Sequence, residues 1–183
     1  RRNPGMKVLI VDQGQDIYHR SCPIVAGKVK ECIHCPVCDT MCGFGGAGAF
    51  SDGKYNITNQ FGGTLHEYIG KKQALELMEY VDSVLCEHGG ADAKLYSTGN
   101  SELKTIALRN NLHLLEAKVR HLGTDRNVKI LGNMYAETGN AIEHKFYTGV
   151  ADVKHLGEHD FEVVTEDGES YRCSDLVLAT GRS

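Results

Sequence analysis

The hydrophobic positions of this chain change rhythm several times, and each change predicts a different element. Residues 6–11 (MKVLIV) are a continuous apolar run between Gly5 and Asp12, the pattern of a parallel strand buried on both faces. Residues 43–63 carry little periodicity. From 71 to 88 the apolar side chains Ala74, Leu75, Leu77, Met78, Val81, Val84 and Leu85 recur at helical spacing, and Gly89-Gly90 ends them. Residues 101–110 predict a second, shorter helix, while 112–122 is less clear and reads as extended. Thr124 or Asp125 caps a third helix that runs through Met134 to about Thr138. Past that point residues 144–155, 160–165 and 170–172 predict strands, with Glu166-Asp167-Gly168-Glu169 as a turn. Residues 175–180 (DLVLAT) predict a final buried strand that ends at Gly181. The layout is strand, long irregular and helical insert, meander, strand. It predicts an α/β domain with parallel strands, a β-meander and a helical, cysteine-rich insert.

Length and composition narrow the class. At 183 residues, with 41% hydrophobic and 24% charged positions, the chain suits one soluble globular domain with room for a small appended module. Twenty basic residues against 24 acidic ones give a net charge of −4, and no basic stripe offers itself to nucleic acid. No apolar run approaches the roughly 20 residues of a membrane span, and no signal peptide opens the sequence, so a cytoplasmic protein is expected. The opening RRNPG reads as the tail of a helix stopped by Pro and Gly. It carries no initiator Met, and the end follows directly on an apolar run, so a piece of a longer protein is expected.

Seven cysteines occur, five of them from Cys22 to Cys42. An odd total without a secretion signal argues for a reducing compartment. The order Cys32-x2-Cys35-x2-Cys38-x3-Cys42 matches ferredoxin-type spacing, and Cys22-Pro23 upstream supplies a remote Cys-Pro. A single [4Fe–4S] centre takes Cys32, Cys35 and Cys38 plus either Cys42 or Cys22. Tetrahedral zinc accepts the same set, with His34 able to replace one thiolate. Cys86 and Cys173 read as small buried apolar residues.

Two segments point to a nucleotide. Asp12 ends the first strand and is followed by Gln13 and Gly14, and an acidic residue at that place in doubly wound dinucleotide folds bonds the adenosine ribose. The stretch from Gly43 to Lys54 (GFGGAGAFSDGK) lets backbone approach a planar or phosphorylated ligand, with Ser51, Asp52 and Lys54 adding hydroxyl, carboxylate and ammonium groups. His121 and the other histidines show no ligand spacing with the cysteines.

The segments VLIVDQG (8–14), GGAGAFSDGKYN (45–56), HLGTDR (121–126) and LVLATGRS (176–183), in this order, resemble the uncharacterised FAD-dependent dehydrogenases. This is a family of NAD(P)/FAD-dependent oxidoreductases with a glutathione-reductase-like flavin fold. The resemblance implies a partial Rossmann-like FAD-binding domain, whose phosphate fingerprint would fall upstream of Arg1. It further implies that Asp12, with Gln13 and Gly14, meets the adenosine ribose. The loop of Gly45, Gly46, Ala47, Gly48, Ser51, Asp52, Gly53 and Lys54 approaches the flavin, Val150 passes the adenine, and Ala179, Thr180 and Gly181 pack against the dinucleotide. Lys54 and Asp52 are the candidates for stabilising a reduced flavin and orienting a substrate. The intact enzyme would move hydride or electrons through FAD, with NAD(P) as a further cofactor. The alternative is a cysteine-rich metal module without flavin.

Overall fold

A computed structural model of the protein describes residues 5–139 and 141–181. Along the chain lie strand β1 (Leu9–Val11), a single 3-10 turn (Ala47–Phe50), strand β2 (Lys54–Ile57), and helices α1 (Leu65–Ile69) and α2 (Lys71–Leu85). Strand β3 (Leu95–Ser97), helix α3 (Ser101–Arg109), strand β4 (Lys118–His121) and helix α4 (Thr124–Thr138) follow. The last part holds strands β5 (Glu143–Lys145), β6 (Val150–Gly157), β7 (Asp160–Thr165) and β8 (Ser170–Cys173). The fold is mixed α/β, and the chain divides into two compact units. Phe50–Asn133 forms one, and the residues up to Ala49 together with those from Met134 onward form the other.

In the discontinuous unit β1 and β5 pair in parallel, Ile10 opposite His144, and the ladder continues as the Asp12 amide donates to the Lys145 carbonyl at 3.0 Å. The β6-β7-β8 meander is antiparallel. Its inner strand β7 buries Val163 and Thr165, and Phe161 stacks on His155 with ring centroids 4.8 Å apart. The turn expected at 166–169 is present: Gly168 adopts φ +87° and its amide donates to the Thr165 carbonyl.

In the continuous unit β2, β4 and β3 form an antiparallel sheet with β4 central. Helix α2 follows the expected period, and its buried positions are Ala74, Asp82 and Leu85. Ala74, Met78 and Asp82 lie four residues apart, on one face. A carboxylate therefore stands on the face that turns inward, and Arg120 of β4 answers it. Arg120 Nε donates to Asp82 Oδ1 at 2.6 Å and its Nη2 to Asp82 Oδ2 at 2.9 Å, while Nη1 donates to the Ala93 carbonyl. The bidentate carboxylate raises the guanidinium pKa above its ordinary value. The buried apolar side chains of this unit are Ile57, Ala74, Leu85, Ala93, Leu122 and Ile130. Helix α3 is capped by Asn100, whose side chain accepts from the amides of Glu102 and Leu103. Past α2 one wide turn (Cys86–Gly90) follows, and within it Gly89 leaves the helical region at φ +118°.

Several expectations are corrected. The first strand spans only Leu9–Val11 and is half-buried, with Met6 and Val8 exposed, because β5 is its single ladder partner among the described residues. The strand expected over 144–155 is broken into β5 and β6 by Tyr147, whose φ of +55° lies outside the extended region. The final buried strand expected over 175–180 is absent. That stretch makes no ladder among the described residues, and Val177 and Leu178 are 85% and 70% exposed. A short apolar run becomes a buried strand only where neighbouring strands pair with it. Strands β2 and β3, too short to show alternation, were not expected. The helix tail at 1–5 falls outside the described residues except for Gly5. No helix of the described residues is long and apolar enough to cross a membrane.

Removing one partner of the buried pair leaves a guanidinium without its carboxylate. Asp82→Ala is expected to lower stability by about 3–5 kcal/mol, as measured by urea unfolding against the parent chain. A loss below about 1 kcal/mol would place the pair with ordinary surface salt bridges.

Candidate functional site

The site of interest begins at the carboxyl end of β1. Asp12 Oδ1 accepts the amide of Gly14 at 2.7 Å, a local Asx turn, and the amide of Gly43 at 2.9 Å. One carboxylate oxygen thus pins the strand end to the start of the glycine-rich loop. The two backbones meet with no room for a side chain. A Cβ on Gly14 would sit 2.4 Å from the Gly43 nitrogen, and a Cβ on Gly43, at φ +101°, 2.4 Å from the Gln15 carbonyl oxygen. The Phe44 amide completes the contact by donating to Gln15 O at 2.9 Å. Beyond it, a Cβ on Gly46 or Gly48 would meet nothing within 4 Å, so the backbone there faces open space. No hydrogen bond among the described residues reaches Asp12 Oδ2.

The buried Arg20, 6% exposed, holds this arrangement in place. Its Nε donates to Asp39 O at 2.8 Å, Nη2 to Thr40 O at 3.1 Å, and Nη1 to Phe44 O at 2.7 Å and Gly43 O at 3.5 Å. Burial pushes its pKa down, and the Asp12 and Asp39 carboxylates counter that effect. Asp39 Oδ2 in turn accepts from Gln15 Nε2 at 3.1 Å and from the Ser21 amide at 3.0 Å. The residues from Asp12 to Ser21 are thereby laced to those from Asp39 to Phe44.

The cysteines divide into two sets. Cys22, Cys32, Cys35 and Cys38 line one cavity of about 220 Å³. Cys42 is absent from that lining, and its sulfur instead accepts from Gln13 Nε2 at 3.1 Å. His34, also at the cavity, has φ +51°. The nearby polar groups, the Val25 amide first and then the Thr40 hydroxyl and the Ile24 amide, hold the Cys22 pKa below the ordinary thiol value. Cys86 and Cys173, expected as buried apolar side chains, are only half-buried, and what burial Cys86 has raises its pKa. Among the described residues no group of three or more His, Cys, Asp or Glu side chains converges closely enough to hold a metal ion.

Of the dinucleotide candidates, Asp12, Gln13 and Gly14 come together with the first part of the glycine loop. Thr148, two residues before Val150, donates its amide to Asp12 O at 3.1 Å, and Tyr147 donates to Gly14 O at 2.9 Å, so β6 starts beside the same strand end. Ala179, Thr180 and Gly181 are exposed and irregular. Ser51, Asp52, Gly53 and Lys54 belong to the continuous unit. There Ser51 Oγ accepts the Gly53 amide at 3.2 Å, and Lys54 pairs with Asp52 at 2.7 Å, both about half exposed. The Lys54 hydrogen bond is the leading cause that lowers the Asp52 pKa, burial opposing it.

Two features carried no sequence signal. Arg20 sits in a stretch without periodicity, so nothing marked it as buried. Tyr18, Phe44, Tyr135, His144 and Phe146 form an aromatic cluster in which His144 stacks on Phe146 at 5.7 Å and the buried His144 Nε2 has no partner. Its members are scattered from position 18 to 146 and no local pattern unites them. Neither a protein-family model nor a curated protein matches this chain.

Two outcomes check this geometry. Gly43→Ala puts a side chain at positive φ against a carbonyl and is expected to destabilise by about 1–3 kcal/mol, read by urea unfolding; a neutral result would contradict the close approach. In reduced, chelator-treated protein, the iodoacetamide rate of Cys22 should rise at lower pH than that of Cys86, because the thiolate is the nucleophile and the two pKa values move in opposite directions. Coincident pH profiles would remove the difference between the two environments.

Proposed function

We propose that this chain carries part of a Rossmann-like FAD-binding domain of an oxidoreductase that moves hydride or electrons through flavin. The observation that carries the reading is the end of β1. A carboxylate stands at the carboxyl end of a parallel strand, the place where open α/β sheets bind ligands. It stands against a glycine loop whose backbone comes close enough to exclude any Cβ. Asp12 Oδ2 is the oxygen for the adenosine ribose, since Oδ1 already accepts two amides. The open backbone at Gly46 and Gly48 suits the close approach of a planar or phosphorylated group. Flavin supplies the redox chemistry when bound. The chain's own part is to bind and orient it. In the continuous unit the Lys54–Asp52 pair offers an ammonium and a carboxylate; Lys54 would stabilise negative charge and Asp52 would position a polar substrate group. NAD(P) is the hydride partner the resemblance implies.

The purified protein is expected to show the two-banded flavin spectrum, or to acquire it on titration with FAD. Asp12→Asn keeps an Oδ1 for the two loop amides and removes the charged acceptor. It should weaken FAD binding roughly tenfold, about 1.4 kcal/mol for exchanging a charge-assisted hydrogen bond for a neutral one. Unchanged affinity would remove the ribose role from Asp12, and a protein that binds no FAD would favour the cysteine-rich metal module instead.

A further inference from the structure

The cysteine spacing admits two choices of fourth ligand and two kinds of metal centre, and the fold separates both pairs. Cys22 lies ten residues upstream of Cys32 in sequence, yet it lines the same cavity as Cys32, Cys35 and Cys38. Cys42 is nearer in sequence to Cys38. The turn in which its amide donates to Cys38 O at 2.8 Å takes it out of that lining, and Gln13 holds its sulfur. We infer that Cys22, Cys32, Cys35 and Cys38 are the four ligands of a [4Fe–4S] cluster, with Cys42 outside it. This site is independent of the flavin reading.

The size of the opening favours a cluster over a single ion. Zinc requires four sulfurs each about 2.3 Å from one point. Here Cys22, Cys32, Cys35 and Cys38 line one cavity of about 220 Å³. A cubane occupies such a space and holds its thiolates further apart than a single ion does. The rest of the lining includes the exposed Ile24 and Ile33 and the half-buried Val29 and Val37. Arg20 bonds the Asp39 and Thr40 carbonyls directly after Cys38, which fixes the loop that carries the fourth cysteine. Ligation releases the four thiol protons.

The test uses the whole chain, purified without oxygen and loaded with ferric iron and sulfide under excess dithiothreitol. The dithiol supplies the two electrons that leave half of the four irons ferrous. A broad brown charge-transfer absorption with about four irons and four sulfides per chain is expected. Cys22→Ser and Cys35→Ser should lose nearly all bound iron, and Cys42→Ser should keep it. The assignment is overturned if Cys42→Ser loses the cluster while Cys22→Ser retains it, if the protein takes one zinc and no iron, or if it takes neither. Should Cys22→Ser fold poorly, native alkylation mapping of the loaded parent decides. Protection of Cys22, Cys32, Cys35 and Cys38 with labelling of Cys42 supports the assignment, and labelling of Cys22 refutes it. Iron and sulfide are counted chemically and flavin by its own bands, so loss of either reading leaves the other standing.

Discussion

The buried guanidinium of Arg20 organises the unit that contains β1. A charged group taken out of water is costly unless its donors are satisfied, and Arg20 satisfies them on the carbonyls of Asp39, Thr40, Gly43 and Phe44. Those four carbonyls belong to a segment with no strand or helix to hold it. The guanidinium therefore replaces secondary structure as the source of order. Two features depend on that segment. Asp39 and Thr40 line the cysteine cavity, while Gly43 and Phe44 open the glycine loop and press against Gly14 and Gln15. The cavity and the end of β1 are thus set by one side chain, with Asp12 and Asp39 as its nearby negative charges.

The continuous unit repeats the device with different partners. Arg120, central in its sheet, reaches Asp82 on the inward face of α2 and the carbonyl of Ala93. In both units an arginine supplies direction where the apolar core is small, since a planar fork of donors fits one arrangement of acceptors. The buried aliphatic side chains of this unit are few, Ile57, Leu85, Leu122 and Ile130 besides two alanines. Specificity of packing, more than apolar area, follows from such a contact.

Much of the layout was legible in the chain itself. The helix over 71–88, the shorter one from Ser101, the helix from Thr124 to Thr138 and the β7–β8 turn all follow from spacing and turn chemistry, because those are local properties. The strand at 6–11 and the run at 175–180 were legible only as apolar segments. Whether such a run becomes a buried strand is decided by what pairs with it, and β1 has one partner while 175–180 has none among the described residues. Asp82 shows the same limit inside a well-read helix. Its position on the inward face follows from the period, but its burial requires an arginine 38 residues away.

The amino-acid sequence by itself determined the elements that rest on neighbours a few residues apart: the helices, their stops, the meander turn, and the candidate chemistry of cysteines, glycines and Asp12. Tertiary structure alone decided which of these meet. It brought Gly43 to Asp12 across 31 residues, sorted Cys22 into the cavity and Cys42 out of it, and turned Arg20 inward. The physical reason is that spacing sets which face a side chain occupies, whereas burial, close approach and charge satisfaction depend on groups that only the folded chain brings within reach.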